Sequence, residues 1–172
     1  MSAIKYCLPI RNVAGSDLAD ILRSNATAYQ YFEIWLDTIS ELKSDKIIDV
    51  ISGYRDRVIL VPRAVYGRDN NYSDLKKDPI LQFAASEGVL VDFDMTVDCQ
   101  KIDSFAGQRK LLSYHNYQQT PSEKELLAVI EKMRSYSPEI YKLATYCNSS
   151  LDALNLLQLR LTLNNQIDKS IV

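Results

Sequence analysis

The sequence contains few of the residues from which disulfide scaffolds and zinc sites are built. Its 172 residues include three cysteines, one histidine, five glycines and five prolines. The cysteines, Cys7, Cys99 and Cys147, lie far apart, which fits a reducing cytoplasm better than a disulfide framework. With one histidine and no close cysteine pair, the chain lacks the ligands of a structural zinc site, and we expect no metal.

Charge and hydropathy argue against two further classes of protein. The 20 basic and 22 acidic residues give a net charge of -2, which argues against a nucleic-acid binder that relies on bulk positive charge. No apolar run approaches the roughly 18 residues of a membrane span. Met1 to Asn12 lacks the basic start and long apolar stretch of a signal peptide. We expect a cytoplasmic globular protein with a single domain over residues 1–172.

Short apolar runs alternate with segments of helical periodicity. Several runs, such as Val58 to Val61, are apolar at every position, as in a parallel strand that is buried on both faces. The predicted strands are Ile4–Ile10, Tyr31–Leu36, Arg57–Pro62, Gly88–Asp94, Lys110–Tyr114 and Glu139–Ala144. The predicted helices are Ser16–Thr27, Thr38–Ser52, Tyr72–Glu87, Ser122–Tyr136 and Ser150–Leu163, with a short helix after Asp94.

Two of the helices have recognisable start signals. Thr120 is predicted to be the N-cap of the helix over Ser122–Tyr136, with Pro121 at its first position and Glu123 completing a capping box. Ser149 and Asp152 repeat this pattern at the start of the last helix.

Polar residues lie in or just after the predicted strands at regular intervals. Glu33, Arg63, Asp92, His115 and Lys142 are separated by 30, 29, 23 and 27 residues. One strand–helix unit of a βα barrel has about this length, although a doubly wound sheet gives the same alternation. Because a complete barrel usually takes about 250 residues, the alternation leaves two possibilities, an incomplete barrel or an open sheet.

Lys142 and His115 are the main candidates for chemistry. Lys142 lies within an apolar strand, where it is either a lysine reaching solvent or a desolvated lysine that forms a Schiff base. His115 ends the preceding strand and is either a hydrogen-bonded histidine without a role or a general acid/base. Because active sites of parallel βα proteins lie at the carboxyl ends of strands, the two residues form a plausible catalytic pair.

Other charged residues are candidates for binding and orientation. Glu33 and Arg63 are either ligands of an anionic substrate or members of local ion pairs, and arginine suits a carboxylate because its planar fork binds both oxygens. Asp92 and Asp94 share a strand face, so they either orient the histidine or lysine or form a solvated pair.

Three segments resemble type I 3-dehydroquinate dehydratase, a lyase of the shikimate pathway of aromatic amino acid biosynthesis. They are Ser113 to Tyr117 (SYHNY), Thr120 to Ser122 (TPS) and Ile140 to Ala144 (IYKLA), which match the histidine and lysine units of that family in order and spacing. Weaker matches extend the resemblance over most of the chain, to about Leu163.

The resemblance implies an α/β fold of the (β/α)8 TIM-barrel type, with only about six βα units in this chain. It implies that Lys142 forms an imine with 3-dehydroquinate and that His115 acts as general acid/base, without a metal or diffusible cofactor. It also implies that Glu33 and Arg63 bind the substrate, which is converted to 3-dehydroshikimate and water.

The sequence departs from the family pattern at several points. Trp35 stands where the family commonly has an arginine, Gly67 where it commonly has a glutamate, and the last two strand–helix units are absent. Two alternatives follow: another Schiff-base barrel enzyme of the class I aldolase kind, and a non-catalytic truncated remnant. Open sheet edges and a final helix that is apolar nearly all round also predict a fragment of a longer frame or a homodimer.

Overall fold

The structure is a computed structural model in which parallel strands alternate with helices. It describes residues 5–41, 43–62, 79–98, 102, 107–164 and 170–171. The chain divides into two compact units, which are Met1–Asp92 with Gly107–Arg109, and Phe93–Ala106 with Lys110–Val172. The prediction of a single domain stays a prediction. No helix in the described ranges has the length and apolar character that a membrane span requires.

The first unit is built on parallel strands that lie in the order in which the chain forms them. The strands are β1 Cys7–Ile10, β2 Tyr31–Trp35, β3 Val58–Val61 and β4 Leu90–Asp94, whose last two residues belong to the second unit. The helices are α1 Leu18–Asn25, α2 Ser44–Ser52 and α3 Pro79–Glu87. Short 3-10 turns occupy Gly15–Asp17 and Leu36–Thr38.

The core of this unit follows from the two periodicities. All four residues of β3 are buried, as expected for a strand covered on both faces. In β2, Phe32 and Ile34 are fully buried, whereas the alternate residues Tyr31, Glu33 and Trp35 are half-buried on the opposite face. The charged residue of β2, Glu33, therefore lies on the half-buried face.

The second unit continues the same pattern. Its helices are α4 Met95–Asp98, α5 Glu123–Arg134 and α6 Ser150–Asn164, and its strands are β5 Lys110–Asn116, β6 Ile140–Thr145 and β7 Ser170–Ile171. These strands are parallel and again follow chain order. A doubly wound sheet reverses its strand order part-way, so within each unit the order is that of a βα barrel.

All six predicted strands are present, with ends that differ by a few residues. β5 runs on through Asn116, so His115 lies inside the strand and not at its end. The predicted helix Thr38–Ser52 begins only at Ser44, because Leu36–Thr38 is a 3-10 turn and Ile39 is extended. The predicted helix Tyr72–Glu87 is seen from Pro79, and residues 72–78 lie outside the described residues.

The predicted cap of α5 was wrong by two residues. Ser122 is the N-cap. The Glu125 amide donates to Ser122 Oγ at 3.4 Å, and the Ser122 amide donates to Glu125 Oε2 at 2.8 Å. Thr120 instead pairs its hydroxyl with that of Thr145 at 2.9 Å. The predicted cap of α6 is confirmed, because the Ser149 amide donates to Asp152 Oδ2 and the Asp152 amide donates to Ser149 Oγ.

The corrected cap predicts the effect of one substitution. Ser122→Ala removes the acceptor for the Glu125 amide, so we expect the free energy of unfolding to fall by about 1 kcal/mol. The matched control is Ser135→Ala at the other end of α5, whose hydroxyl donates to the Lys132 carbonyl. Urea unfolding measures both variants, and an unchanged stability in Ser122→Ala would contradict the assignment.

Candidate active site

The pairing of β5 with β6 brings the two candidate catalytic residues to one face of the strands. Ser113 is the Cα partner of Lys142, and His115 is the Cα partner of Ala144. Side chains alternate along each strand, so Ser113 and His115 share a face, and directly paired residues point to the same side. Lys142 and His115 are therefore diagonal neighbours on that face.

A carboxylate at the end of β4 holds the histidine ring. His115 Nδ1 lies 2.9 Å from Asp94 Oδ2, and the two side chains are only 8% and 11% exposed. Asp94 Oδ1 also accepts hydrogen bonds from the Thr96 amide at 2.9 Å and the Thr96 hydroxyl at 2.6 Å. Asp94 thus caps the start of α4 and orients His115 with the same carboxylate.

The charge of Asp94 follows from these contacts. Burial by itself raises the pKa of Asp94, but the hydrogen bonds from His115 and Thr96 and the nearby histidine charge outweigh it, so the pKa lies below its ordinary value of 3.8. Asp94 is then ionised at neutral pH and accepts a hydrogen bond from Nδ1–H. In neutral His115 this leaves Nε2 as the basic nitrogen, which is the arrangement that general acid/base catalysis needs.

The surroundings of Lys142 fit a residue held at a defined position. Lys142 is half-buried in the middle of β6, directly after Tyr141, which is buried on the other face. On the neighbouring strand β5, the ring of His115 stacks on that of Tyr117, the residue that follows β5. The ring centres lie 5.9 Å apart, with an angle of 13° between the planes. An amine beside an oriented imidazole can form and hydrolyse an imine with a ketone.

The other predicted site residues are only partly covered. Glu33 is half-buried in β2 of the first unit, where its Cα partners are Pro9 of β1 and Ile59 of β3. Arg63 and Gly67 lie outside the described residues. In the part of the chain that the structure describes, no group of three or more histidine, cysteine or acidic residues is arranged to hold a metal.

Sequence reasoning identified both Asp92 and Asp94 as candidates to orient His115 or Lys142. It did not decide which aspartate has this role or which of the two residues is its partner. The structure pairs Asp94 with His115. The roles of Thr96 and Tyr117 were missed altogether. An aspartate two residues before a threonine is a recognisable Asx-turn signal, whereas no sequence signal indicates the ring contact of Tyr117.

The Asp94 hydrogen bonds predict a pH dependence of stability. A carboxyl group with a depressed folded pKa stabilises the fold above its unfolded value and loses that contribution as the pH falls through the folded pKa. We therefore expect Asp94→Asn to lose stability at neutral pH and to show a flatter fall in the free energy of unfolding below about pH 4.

The control for this measurement is Asp20→Asn, which removes an exposed ion pair with Arg23 and is expected to keep the acid dependence of the parent. Urea unfolding at a series of pH values measures all three proteins. If Asp94→Asn followed the same acid dependence as the parent, the assignment of this stabilisation to Asp94 would be wrong.

Several solved structures with the same fold are 3-dehydroquinate dehydratases. The enzyme from Enterococcus faecalis aligns with a TM-score of 0.77 at 20% identity and covers 100% of this chain and 79% of its own. The enzyme from Geobacillus kaustophilus HTA426 aligns with 0.77 at 17% identity over 99% and 73%. A type I enzyme from Clostridium difficile, with covalently modified comenic acid, gives 0.76 at 19% identity over 100% and 75%.

These likenesses confirm the predicted fold class, an α/β fold of the TIM-barrel type with about six βα units. Identities of 17–20% speak for the fold alone. The family is shown by the sequence, because the model of type I 3-dehydroquinase matches residues 6–172. The chain therefore belongs to the type I 3-dehydroquinase family, whose members are dehydratase enzymes.

Proposed function

We propose that this protein converts 3-dehydroquinate to 3-dehydroshikimate and water through a Schiff base on Lys142. The observation that carries the proposal is the register of β5 and β6, which gives Lys142 and His115 a common face. The hydrogen bond from His115 to Asp94 supports the acid/base role of the imidazole. Membership of the type I 3-dehydroquinase family supports the choice of reaction.

The first step forms the imine. The neutral amine of Lys142 attacks the ketone carbon of the substrate. A proton then passes from the nitrogen to the former carbonyl oxygen, which becomes a hydroxyl group on a tetrahedral carbon. His115 donates a proton to this hydroxyl, which leaves as water while the nitrogen lone pair forms the carbon–nitrogen double bond. Asp94 orients His115 for this transfer, because its carboxylate accepts a hydrogen bond from Nδ1–H.

The second step is the elimination. The protonated imine withdraws electrons from the adjacent carbon, so a proton on that carbon becomes acidic. Nε2 of His115 accepts this proton, the electron pair forms a carbon–carbon double bond, and the hydroxyl on the next carbon leaves as water after taking the proton from His115. Water then hydrolyses the product imine and restores the Lys142 amine, so no redox cofactor takes part.

Substrate binding by Glu33 and Arg63 belongs to the same proposal. The position of Glu33 on the half-buried face of β2 supports a role for its carboxylate in accepting hydrogen bonds from substrate hydroxyls. Arg63, outside the described residues, is proposed from the sequence resemblance.

We assign the reaction to the shikimate pathway and to the cytoplasm, the latter because the scattered cysteines fit a reducing compartment.

A second copy of the chain is the proposed protein partner. The outer face of α6 carries four leucines that are each more than half exposed, at 55–62%. These are Leu151, Leu154, Leu157 and Leu161. Leu159 and Leu163 are buried, so the helix is apolar on both its inner and outer sides. An exposed apolar stripe of this kind supports association into a homodimer.

Reductive trapping tests the proposed chemistry. When the protein is incubated with 3-dehydroquinate and borohydride, we expect a stable adduct on Lys142, because borohydride reduces an imine to an amine. Peptide mass spectrometry locates the adduct, which Lys142→Ala should abolish. The matched control is Lys110→Ala, which removes the other half-buried strand lysine of β5 and β6 and should leave the adduct in place.

The alternatives predict other results. A non-catalytic remnant gives no adduct on the parent protein. A Schiff-base enzyme of the aldolase kind gives an adduct on Lys142 with other hydroxy-ketones but releases no 3-dehydroshikimate, which ultraviolet absorbance of the conjugated product detects. An adduct that persisted in Lys142→Ala would contradict the assignment of the nucleophile.

A further inference from the structure

An arginine lies over the only tryptophan of the chain at the carboxyl ends of β1 and β2. Arg11 directly follows the last residue of β1, and Trp35 is the last residue of β2. The guanidinium carbon lies 5.9 Å from the centre of the indole ring, within the range of a cation–π contact. The pair therefore lies at the edge of the strands where parallel βα proteins bind their ligands.

The backbone around Arg11 is fastened to the backbone around Trp35. The Asn12 amide donates a hydrogen bond of 3.1 Å to Thr38 Oγ1, and that hydroxyl donates one of 3.0 Å to the Trp35 carbonyl. Asn12 has a positive φ of 56°, a conformation that asparagine adopts more readily than most residues. The segment after β1 is thus held beside the end of β2, which reduces the freedom that Arg11 would lose on binding a ligand.

The chemistry of a guanidinium over an aromatic ring favours an anion at its edge. A guanidinium that packs flat on an aromatic ring keeps its N–H donors available, because they lie in the guanidinium plane. Among the described residues Arg11 forms no ion pair, and its side chain is exposed. Two parallel N–H donors match the two oxygens of a carboxylate.

Glu33 adds a second group to this edge. It shares a strand face with Trp35, two residues earlier in β2, and its Cα partner is Pro9, two residues before Arg11. A carboxylate accepts hydrogen bonds from hydroxyl groups, whereas a guanidinium donates to a carboxylate. The edge therefore offers complementary groups to a small molecule that carries both hydroxyl groups and a carboxylate.

We propose that Arg11 is a substrate-binding residue that recognises the carboxylate of a polyhydroxy acid, with its guanidinium held over Trp35. This inference rests on the proposed function, because 3-dehydroquinate is such an acid. It gives the β1–β2 edge the task of ground-state binding, separate from the imine chemistry of Lys142. Loss of Arg11 should accordingly weaken binding far more than it slows the bound substrate's reaction.

Trp35 supplies the measurement, because it is the only tryptophan and its fluorescence reports on its immediate surroundings. The probe is quinate, a polyhydroxy carboxylic acid without a ketone, so its binding involves no imine. We expect a saturable change in Trp35 fluorescence in the parent protein. Arg11→Gln should raise the dissociation constant roughly 10- to 100-fold, the loss expected for charge-assisted hydrogen bonds, and should raise KM for 3-dehydroquinate with little change in kcat.

Two further variants separate recognition from bulk charge. Arg11→Lys keeps the charge but loses the planar fork, so its binding should be intermediate. Lys5→Gln is the matched control, because Lys5 lies 5.6 Å from the centre of the Tyr31 ring at the other end of β2. It removes the same charge and the same type of contact, and we expect its dissociation constant to stay within about twofold of the parent.

Several outcomes would overturn the inference. These are a flat fluorescence titration in the parent, an unchanged dissociation constant in Arg11→Gln, and an equal loss in Lys5→Gln. Failure of the proposed function is distinguishable, since it would appear as the absence of a borohydride adduct on Lys142. Arg11-dependent binding of quinate would persist in that case, because it needs no imine.

Discussion

The candidate site depends on the parallel register between β5 and β6. Leu112 and Tyr141 are Cα partners, and both are buried, at 0% and 2% exposure. A shift of either strand by one residue would expose one of these side chains and would turn Lys142 or His115 to the opposite face. Burial of the apolar face therefore fixes the position of the polar groups on the other face.

Asp94 is a second constraint, because the same side chain caps a helix and orients the candidate catalytic histidine. The carboxylate that caps α4 through Thr96 is also the group that accepts the hydrogen bond from Nδ1–H of His115. Its desolvation is offset by these hydrogen bonds, which is why the pKa of Asp94 is lowered although the residue is mostly buried. The fold thus stabilises a buried charge at the place where the histidine needs an ionised partner.

Much of the fold could be predicted from apolar runs alone. Strands such as β3, buried at all four positions, come from short apolar runs rich in β-branched residues, which are typical of buried parallel strands. The placement of His115 and Lys142 on neighbouring strands could also be inferred, because consecutive strands of a parallel βα protein are usually neighbours. β7 has only two residues, too few for any periodicity to appear in the sequence.

The features that sequence reasoning missed depend on contacts between distant residues. Thr120 and Ser122 both have a glutamate three residues later, so local preference could not decide which of them caps α5. The hydroxyl contact of Thr120 with Thr145, 25 residues away, ties Thr120 to the end of β6, and Ser122 takes the cap. The choice of Asp94 as partner of His115, and the position of Arg11 over Trp35, likewise depend on tertiary structure.

The central claim is a division of labour in which Lys142 forms the imine and His115, held by Asp94, carries out the elimination. The most direct measurement is the mass of the adduct that borohydride traps in His115→Ala after prolonged incubation with 3-dehydroquinate. The account predicts an adduct on Lys142 that retains the water lost in the parent's product adduct, because the imine forms slowly but elimination fails. An adduct in His115→Ala that had already lost this water at the parent's rate would contradict the account.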